Sequence, residues 1–358
     1  MTRLERLRDR MAATGVDLVA LSPGAHMHWL LGFAPHPDER PCLLLIGLDN
    51  AGFLMPALNA KDVRQHTDLP FWEWGDDEGP DAAFADALCT INSQPRCVAV
   101  DEVMRADHTL LLLDFMPEAK RTFASGTVGA LRMIKDAGEL AALEENARIA
   151  DAAHAAIREA LREGITEREL VEVAKARFEA DGARIAFGIV GTGVHSAFPH
   201  HQSGDTPVRT GDVVVIDIGG KKGGYYSDIT RMACLGHAPD GYKEIHDLVD
   251  TAVKAALAAI RPGVKARMID KVARDVIDAA GYGEFFTHRT GHGLGSEIHE
   301  PPYLTGNSDL TLEEGMVFTV EPGIYLPGRF GVRLEEVAIV TADGCRTLSK
   351  LSRDLFSV

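Results

Sequence analysis

The chain has 358 residues, 46% hydrophobic and 25% charged, the balance of a globular protein with length for two domains. Its formal net charge of −16 is spread along the sequence without a basic stripe, which argues against nucleic acid or an anionic membrane as a partner. Five cysteines with no CxxC spacing indicate neither a disulfide framework nor a thiolate zinc site.

The opening stretch "MTRLERLRDRMAATG" patterns as a charged amphipathic helix rather than a secretory leader, and no apolar run nears the roughly 18 residues of a membrane span. A cytoplasmic location is expected. Strand-like runs follow at "VDLVALS" from Val16, "CLLLIGL" from Cys42, "AGFLM" from Ala51 and "CVAVDE" from Cys97, a small α/β domain. Hydrophobic periodicity lapses into small residues over 122–130, so the first domain is expected over residues 1–125 and a second over 132–358.

The second domain starts with Asp136 and Glu139 at capping-box spacing, ahead of alanine-rich helical heptads. Another box, Thr166 with Glu169, opens a helix expected to stop near Gly182. Next come the histidine-rich "VHSAFPHH" and the hairpin pattern "VVVIDIGGKKGGYYSDITRM". The order then repeats: a helix from about Asp240 to Ile260, a break at Pro262-Gly263, a helix to about Ala280, the stretch "GHGLGSEIHE", and a hairpin around "EPGIYLPGRFGVRLEE". Two such passes predict a pseudo-twofold domain whose acidic hairpins meet at its centre.

Asp217 interrupts a buried, apolar strand pattern, where an uncompensated carboxylate is costly. A hairpin centred in the 221–224 loop puts Asp228 directly opposite it, with Cβ atoms roughly 4.5–5.5 Å apart. Such a pair needs a shared proton or a cation. Thr230 shares a face with Asp228 by alternation and is expected to orient that carboxylate. The second hairpin carries Glu321 and Glu335; Arg333 alternates onto the face of Glu335 and is expected to hold an inward carboxylate, while Glu336 points the other way. Of the chain's 14 histidines, four stand in "FPHH" and "GHGLGSEIHE", ahead of the acidic hairpins: His200 and His201, then His292 between glycines and His299. A lone histidine is more often a packed or surface residue; this repetition is what singles these out. Four carboxylates and one imidazole form a hard, oxygen-rich set whose charge two divalent cations would neutralise, favouring Mn²⁺, Co²⁺ or Zn²⁺. A centre of that composition turns water into a bridging hydroxide and clamps a carbonyl oxygen.

The set "FPHH", "IDIGG…YYSDITR", "RTGHGLGSEIHEPP", "EPGIY" and "GVRLEE", in this order, resembles the pita-bread metallopeptidases, in the group of Xaa-Pro dipeptidase (prolidase) and Xaa-Pro aminopeptidase. The likeness is tight from about Arg132 to the end and looser over a creatinase-like N-terminal domain. It implies an α/β N-terminal domain followed by an α+β pita-bread catalytic domain, with two divalent metal ions per chain, Mn²⁺ foremost. Asp217 would ligate one ion, Asp228 and Glu335 would bridge both, and His292 and Glu321 would complete the other. Glu321 would also accept a proton from the attacking water. His200 and His299 match histidines that bind substrate and steady the tetrahedral intermediate or leaving group, Arg333 matches the arginine supporting the acidic cluster, and His201 is left at the rim.

Some prolidases carry an arginine four residues after the second histidine to grip the dipeptide's carboxylate; here that position is Tyr303. Arg289, or Arg40 contributed by a partner chain in a homodimer, is the expected substitute. The implied activity is hydrolysis of Xaa-Pro dipeptides, with an aminopeptidase acting on longer peptides, or a silent binding protein of the same fold, as alternatives.

Overall fold

The computed structural model describes residues 1–92 and 94–358, and the chain divides into two compact units, Met1–Arg132 and Met133–Val358.

In the first unit the elements run α1 (Arg3–Thr14), β1 (Leu18–Leu21), α2 (Ala25–Leu31), β2 (Leu43–Gly47), β3 (Ala51–Pro56), α3 (Ala57–Val63), β4 (Phe71–Trp74), α4 (Asp81–Ile91), β5 (Cys97–Val100), α5 (Ala106–Asp114), β6 (Lys120–Phe123) and α6 (Val128–Arg132). One six-stranded mixed sheet has the order β4-β3-β2-β1-β5-β6. Its central strands are buried on both faces, and alternation divides their side chains: Val19 and Leu21 pack into one core, Leu18 and Ala20 into the other. The edge strands β4 and β6 were not foreseen; β6, "KRTF", is mostly exposed and carries no apolar pattern.

The second unit contains α7 (Ala137–Ala160), α8 (Glu167–Ala180), β7 (Arg184–Thr192), β8 (Val213–Lys222), β9 (Tyr225–Tyr226), β10 (Ile229–Cys234), α9 (Tyr242–Ala259), α10 (Ala266–Ala279), β11 (Gly291–Gly293), β12 (Glu300–Leu304), β13 (Val317–Val320), β14 (Gly323–Leu326), β15 (Phe330–Arg333), β16 (Glu336–Val340), β17 (Cys345–Thr347) and β18 (Phe356–Ser357). Both expected capping boxes form, Asp136 with Glu139 and Thr166 with Glu169. Each half supplies two helices and a sheet, ordered β18-β10-β8-β7 in the first and β12-β11-β13-β16-β17 in the second, with β14-β15 as a separate ribbon. This is the pita-bread architecture. Strand β8 lies between two cores: Val214, Ile216 and Ile218 face one, Val213 and Val215 the other. Asp217 therefore belongs to the row of Val213 and Val215.

The β8–β10 hairpin corrects one expectation. Gly223 and Gly224 have φ of 60° and 87° and form a two-residue turn closed by Lys222 and Tyr225, a conformation glycine adopts without strain. That turn sits one residue later than a centre between Asp217 and Asp228 requires, so Asp217 pairs with Thr230. Asp228 precedes β10 and is the diagonal neighbour of Asp217 on the same face. Among the described residues, no helix is long and apolar enough to cross a membrane.

Candidate metal centre

Five donors converge from both halves. Asp217 from β8, Asp228 just before β10, and Glu335 between β15 and β16 offer carboxylate oxygens that all lie within 4.8 Å of one another. His292 on β11 adds Nε2, 3.3 Å from Glu321 Oε1 and 3.7 Å from Asp228 Oδ2. The His292 Nδ1–H donates to the carbonyl of Gly293 at 3.1 Å, which leaves Nε2 as the free acceptor facing the cluster. Glycines on both sides of His292 are required by packing: a Cβ at Gly291 would lie 1.9 Å from the Thr319 carbonyl oxygen, and one at Gly293 2.3 Å from that of Pro301.

Glu321 and Glu335 are matched across a break in the sheet. The β13–β16 ladder ends at Val320 with Glu336, and the β14–β15 ladder resumes at Gly323 with Arg333 in the same register. Glu321 and Glu335 fall in the gap. Thr319 Oγ1 donates to Glu321 Oε1 at 3.0 Å. Glu336 points the opposite way, to Arg231 at 2.9 Å and Arg353 at 2.8 Å.

Two supporting contacts differ from expectation. Thr230 Oγ1 donates to Glu335 Oε2 at 2.8 Å rather than orienting Asp228, because it is Asp217's cross-strand partner and faces the second hairpin. Arg333 holds Asp217 rather than Glu335: Nη2 donates to Asp217 Oδ2 at 2.5 Å, Nη1 to the Tyr325 hydroxyl at 2.8 Å, and Nε to Thr230 Oγ1 at 3.3 Å. The guanidinium reaches acceptors on three strands, β8, β10 and β14, where the sequence offered only its neighbour on one.

Electrostatically the cluster calls for a cation. Burial, reinforced by the neighbouring carboxylates, pushes Asp228 and Glu335 well above the ordinary carboxylate range. Burial also pushes the Glu321 carboxyl up to about 7 and the His292 imidazole down to about 3. Asp217 Oδ1 and Glu335 Oε1 are buried with no hydrogen-bond partner among the described residues. Orphaned oxygens in a crowded oxygen-rich set are what a hard divalent cation satisfies, so the residues fit the group expected there.

Around the cluster lies a cleft of about 790 Å³, lined also by His200, His299, Arg289, Arg184, Phe187, Tyr226 and His288. The His299 ring stands edge-on to that of His292, centroids 4.2 Å apart. Arg289 stacks over Tyr303 at 4.7 Å, while Tyr303 itself does not line the cleft. His201 turns instead to Glu167, at 2.8 Å. Arg40 belongs to the first unit and is ion-paired there with Asp76 at 2.8 Å and Glu39 at 2.9 Å.

Sequence reasoning missed His288, Tyr325 and Arg184. Nδ1–H of His288 donates to the Arg289 carbonyl at 2.7 Å, so its Nε2 accepts from the Tyr325 hydroxyl at 2.8 Å, and that oxygen accepts from Arg333. Burial lowers His288 to about 4, keeping it the neutral acceptor this chain requires. Tyr325 lay within the quoted "EPGIY", and its place beside Arg333 on a paired strand was the available signal.

Residues 141–342 match Metallopeptidase family M24, and residues 3–134 match the Creatinase/Prolidase N-terminal domain. A probable dipeptidase PepE from Mycobacterium tuberculosis is 36% identical over 99% of this chain and 96% of its own length. An Xaa-Pro dipeptidase from Lactobacillus delbrueckii subsp. lactis is 33% identical over 98% of each chain. The crystal structure of dipeptidase PepE from Mycobacterium ulcerans superposes with a TM-score of 0.95 at 34% identity, covering 99% of this chain and 97% of that one. With both domains matched and the likeness running end to end, the chain belongs to metallopeptidase family M24.

Proposed function

We propose that the protein hydrolyses the Xaa-Pro bond of dipeptides with two divalent cations, Mn²⁺ foremost, held by Asp217, Asp228, His292, Glu321 and Glu335. The observation that carries this reading is the buried carboxylate cluster with orphaned oxygens beside His292, opening on a cleft of peptide size. When bound, the cations supply Lewis acidity toward water and the scissile carbonyl. Arg333 fixes Asp217, and Gly293 fixes the ring of His292, so the donors are preorganised. Glu321 takes the proton of the attacking water, and His200 and His299, on the walls of the cleft, orient the peptide and its departing proline nitrogen. Arg289 receives the substrate carboxylate, joined in a homodimer by Arg40 of a partner chain. The five free cysteines suit a reducing cytoplasm.

The test is an assay of chelator-treated protein on Xaa-Pro dipeptides and Xaa-Pro-Xaa tripeptides. Activity is lost on chelation, returns with Mn²⁺ or Co²⁺, and favours dipeptides; full activity after chelation overturns the reading. A second reading, an aminopeptidase, is favoured by Tyr303 standing where an arginine would grip the dipeptide end. Efficient tripeptide cleavage would assign it.

A further inference from the structure

Outside the cleft, a second cluster of donors stands at the start of α8. Glu167 is fully buried, yet its carboxylate faces two imidazoles: Oε1 lies 2.8 Å from His195 Nδ1, and Oε2 lies 2.8 Å from His201 Nε2. The two rings lie 4.4 Å apart, inclined by 31°. None of the three residues lines the cleft.

We propose that Glu167, His195 and His201 form a third divalent-cation site, suited to Zn²⁺. Two imidazole nitrogens and a carboxylate are a common zinc-ligand set, with a fourth position left for water. The donor atoms already lie within 4.8 Å of one another. Zinc–ligand bonds of about 2.0–2.2 Å at near-tetrahedral angles place donors roughly 3.3 Å apart, so the 2.8 Å contact between Glu167 Oε1 and His195 Nδ1 opens by only about half an ångström on binding, while His201 Nε2 turns from Oε2 toward the same ion. Both rings can present a lone pair as neutral tautomers carrying their N–H on the other nitrogen. Entry is from the side of His195, whose side chain is 31% exposed, against 14% for His201.

A plain loop anchor needs less than this. The backbone N–H groups of Thr192 and Gly204 already donate to Glu167 Oε1 and Oε2, each at 3.0 Å, and pin both ends of the segment. The imidazoles are additional, and two nitrogens with one carboxylate select zinc more sharply than the oxygen-rich cleft does. The segment between Thr192 and Gly204 carries His200, so zinc here braces the wall of the cleft without entering it.

The experiment compares the Mn²⁺-loaded protein with its His195→Gln/His201→Gln variant after equilibration with micromolar Zn²⁺ and gel filtration, total metal being counted by elemental analysis. The wild type is expected to carry one more ion per chain than the variant, with the cleft ions retained in both. Equal totals overturn the proposal. His195→Gln alone, on the exposed side, preserves the fold and is expected to weaken zinc binding at least tenfold. Imidazole resonances of His195 and His201 that do not move during a zinc titration of the wild type would also overturn it.

Discussion

Replacing Arg333 by lysine keeps a cation beside Asp217 and removes the fork that aims it. Arg333 is 3% exposed and reaches Asp217 at 2.5 Å, Tyr325 at 2.8 Å and Thr230 at 3.3 Å through three different nitrogens. A lysine ammonium is a point donor on a flexible stem and cannot span acceptors on three strands. A lysine that settles on Tyr325 or Thr230 deprives Asp217 of a buried charge-assisted hydrogen bond, worth about 1.5–3 kcal/mol. That range agrees with the 10–100-fold fall in affinity, about 1.4–2.7 kcal/mol, typical when the partner of a metal ligand is lost. Formal charge is unchanged, so a fall reports geometry rather than attraction at a distance. Competition against a fluorescent chelator at fixed pH should show Mn²⁺ bound 10–100-fold more weakly by Arg333→Lys. Affinity within twofold of the wild type would refute the assignment of Arg333 as the residue that holds Asp217 in place.

His292→Ala should remove metal as well as turnover, whereas His299→Ala should lower turnover with metal content intact; equal metal loss by elemental analysis would show the roles to be misassigned. Lys135 and Glu300 form an ion pair at 2.6 Å with side chains 1% and 3% exposed, so Lys135→Met should cost about 3–5 kcal/mol in urea unfolding. A cost under about 1 kcal/mol would mean the pair is not electrostatically isolated. His154 is fully buried, and burial, aided by Arg158 and Arg231, holds its protonation well below the usual histidine range. The unfolded chain takes up that proton near pH 6.5 and the folded chain does not, so the contribution of His154 is present above pH 6.5 and lost as the pH falls below it. Between pH 6.5 and 5, His154→Leu should lessen the loss of stability, and a pH profile parallel to the wild type's would contradict this.

The clustered carboxylates were legible because acids inside apolar strand patterns stand out: Asp217 is flanked by Ile216 and Ile218, both fully buried. The helices were legible from period and caps, as Asp136 and Thr166 illustrate. Alternation also gave the facing of Glu335 against Glu336 correctly. What it could not give was the partner. Face is a property of one strand, but register depends on where the turn closes, and the positive φ of Gly223 and Gly224 moved Asp217 from Asp228 to Thr230. The reach of Arg333 to Asp217 and of Thr230 to Glu335 depends on how the two halves pack, which no local period encodes. Edge strand β6 escaped for a related reason, since one exposed side leaves little hydrophobic signature.

The junction at Thr230 joins the two halves by both backbone and side chain. Its carbonyl accepts from the Glu335 N–H at 3.3 Å, its hydroxyl donates to the Glu335 carboxylate, and the neighbouring Arg231 donates to the Glu335 carbonyl and to Glu336. Peeling β10 from its sheet therefore withdraws a supporting contact from a donor on the opposite hairpin. With cations in place, opening either half must also release them, so the free energy of binding adds to the cost of every such opening. With cations bound, amides of the two sheets should then share a single protection limit in hydrogen exchange, and stripping the cations should let that limit split into two.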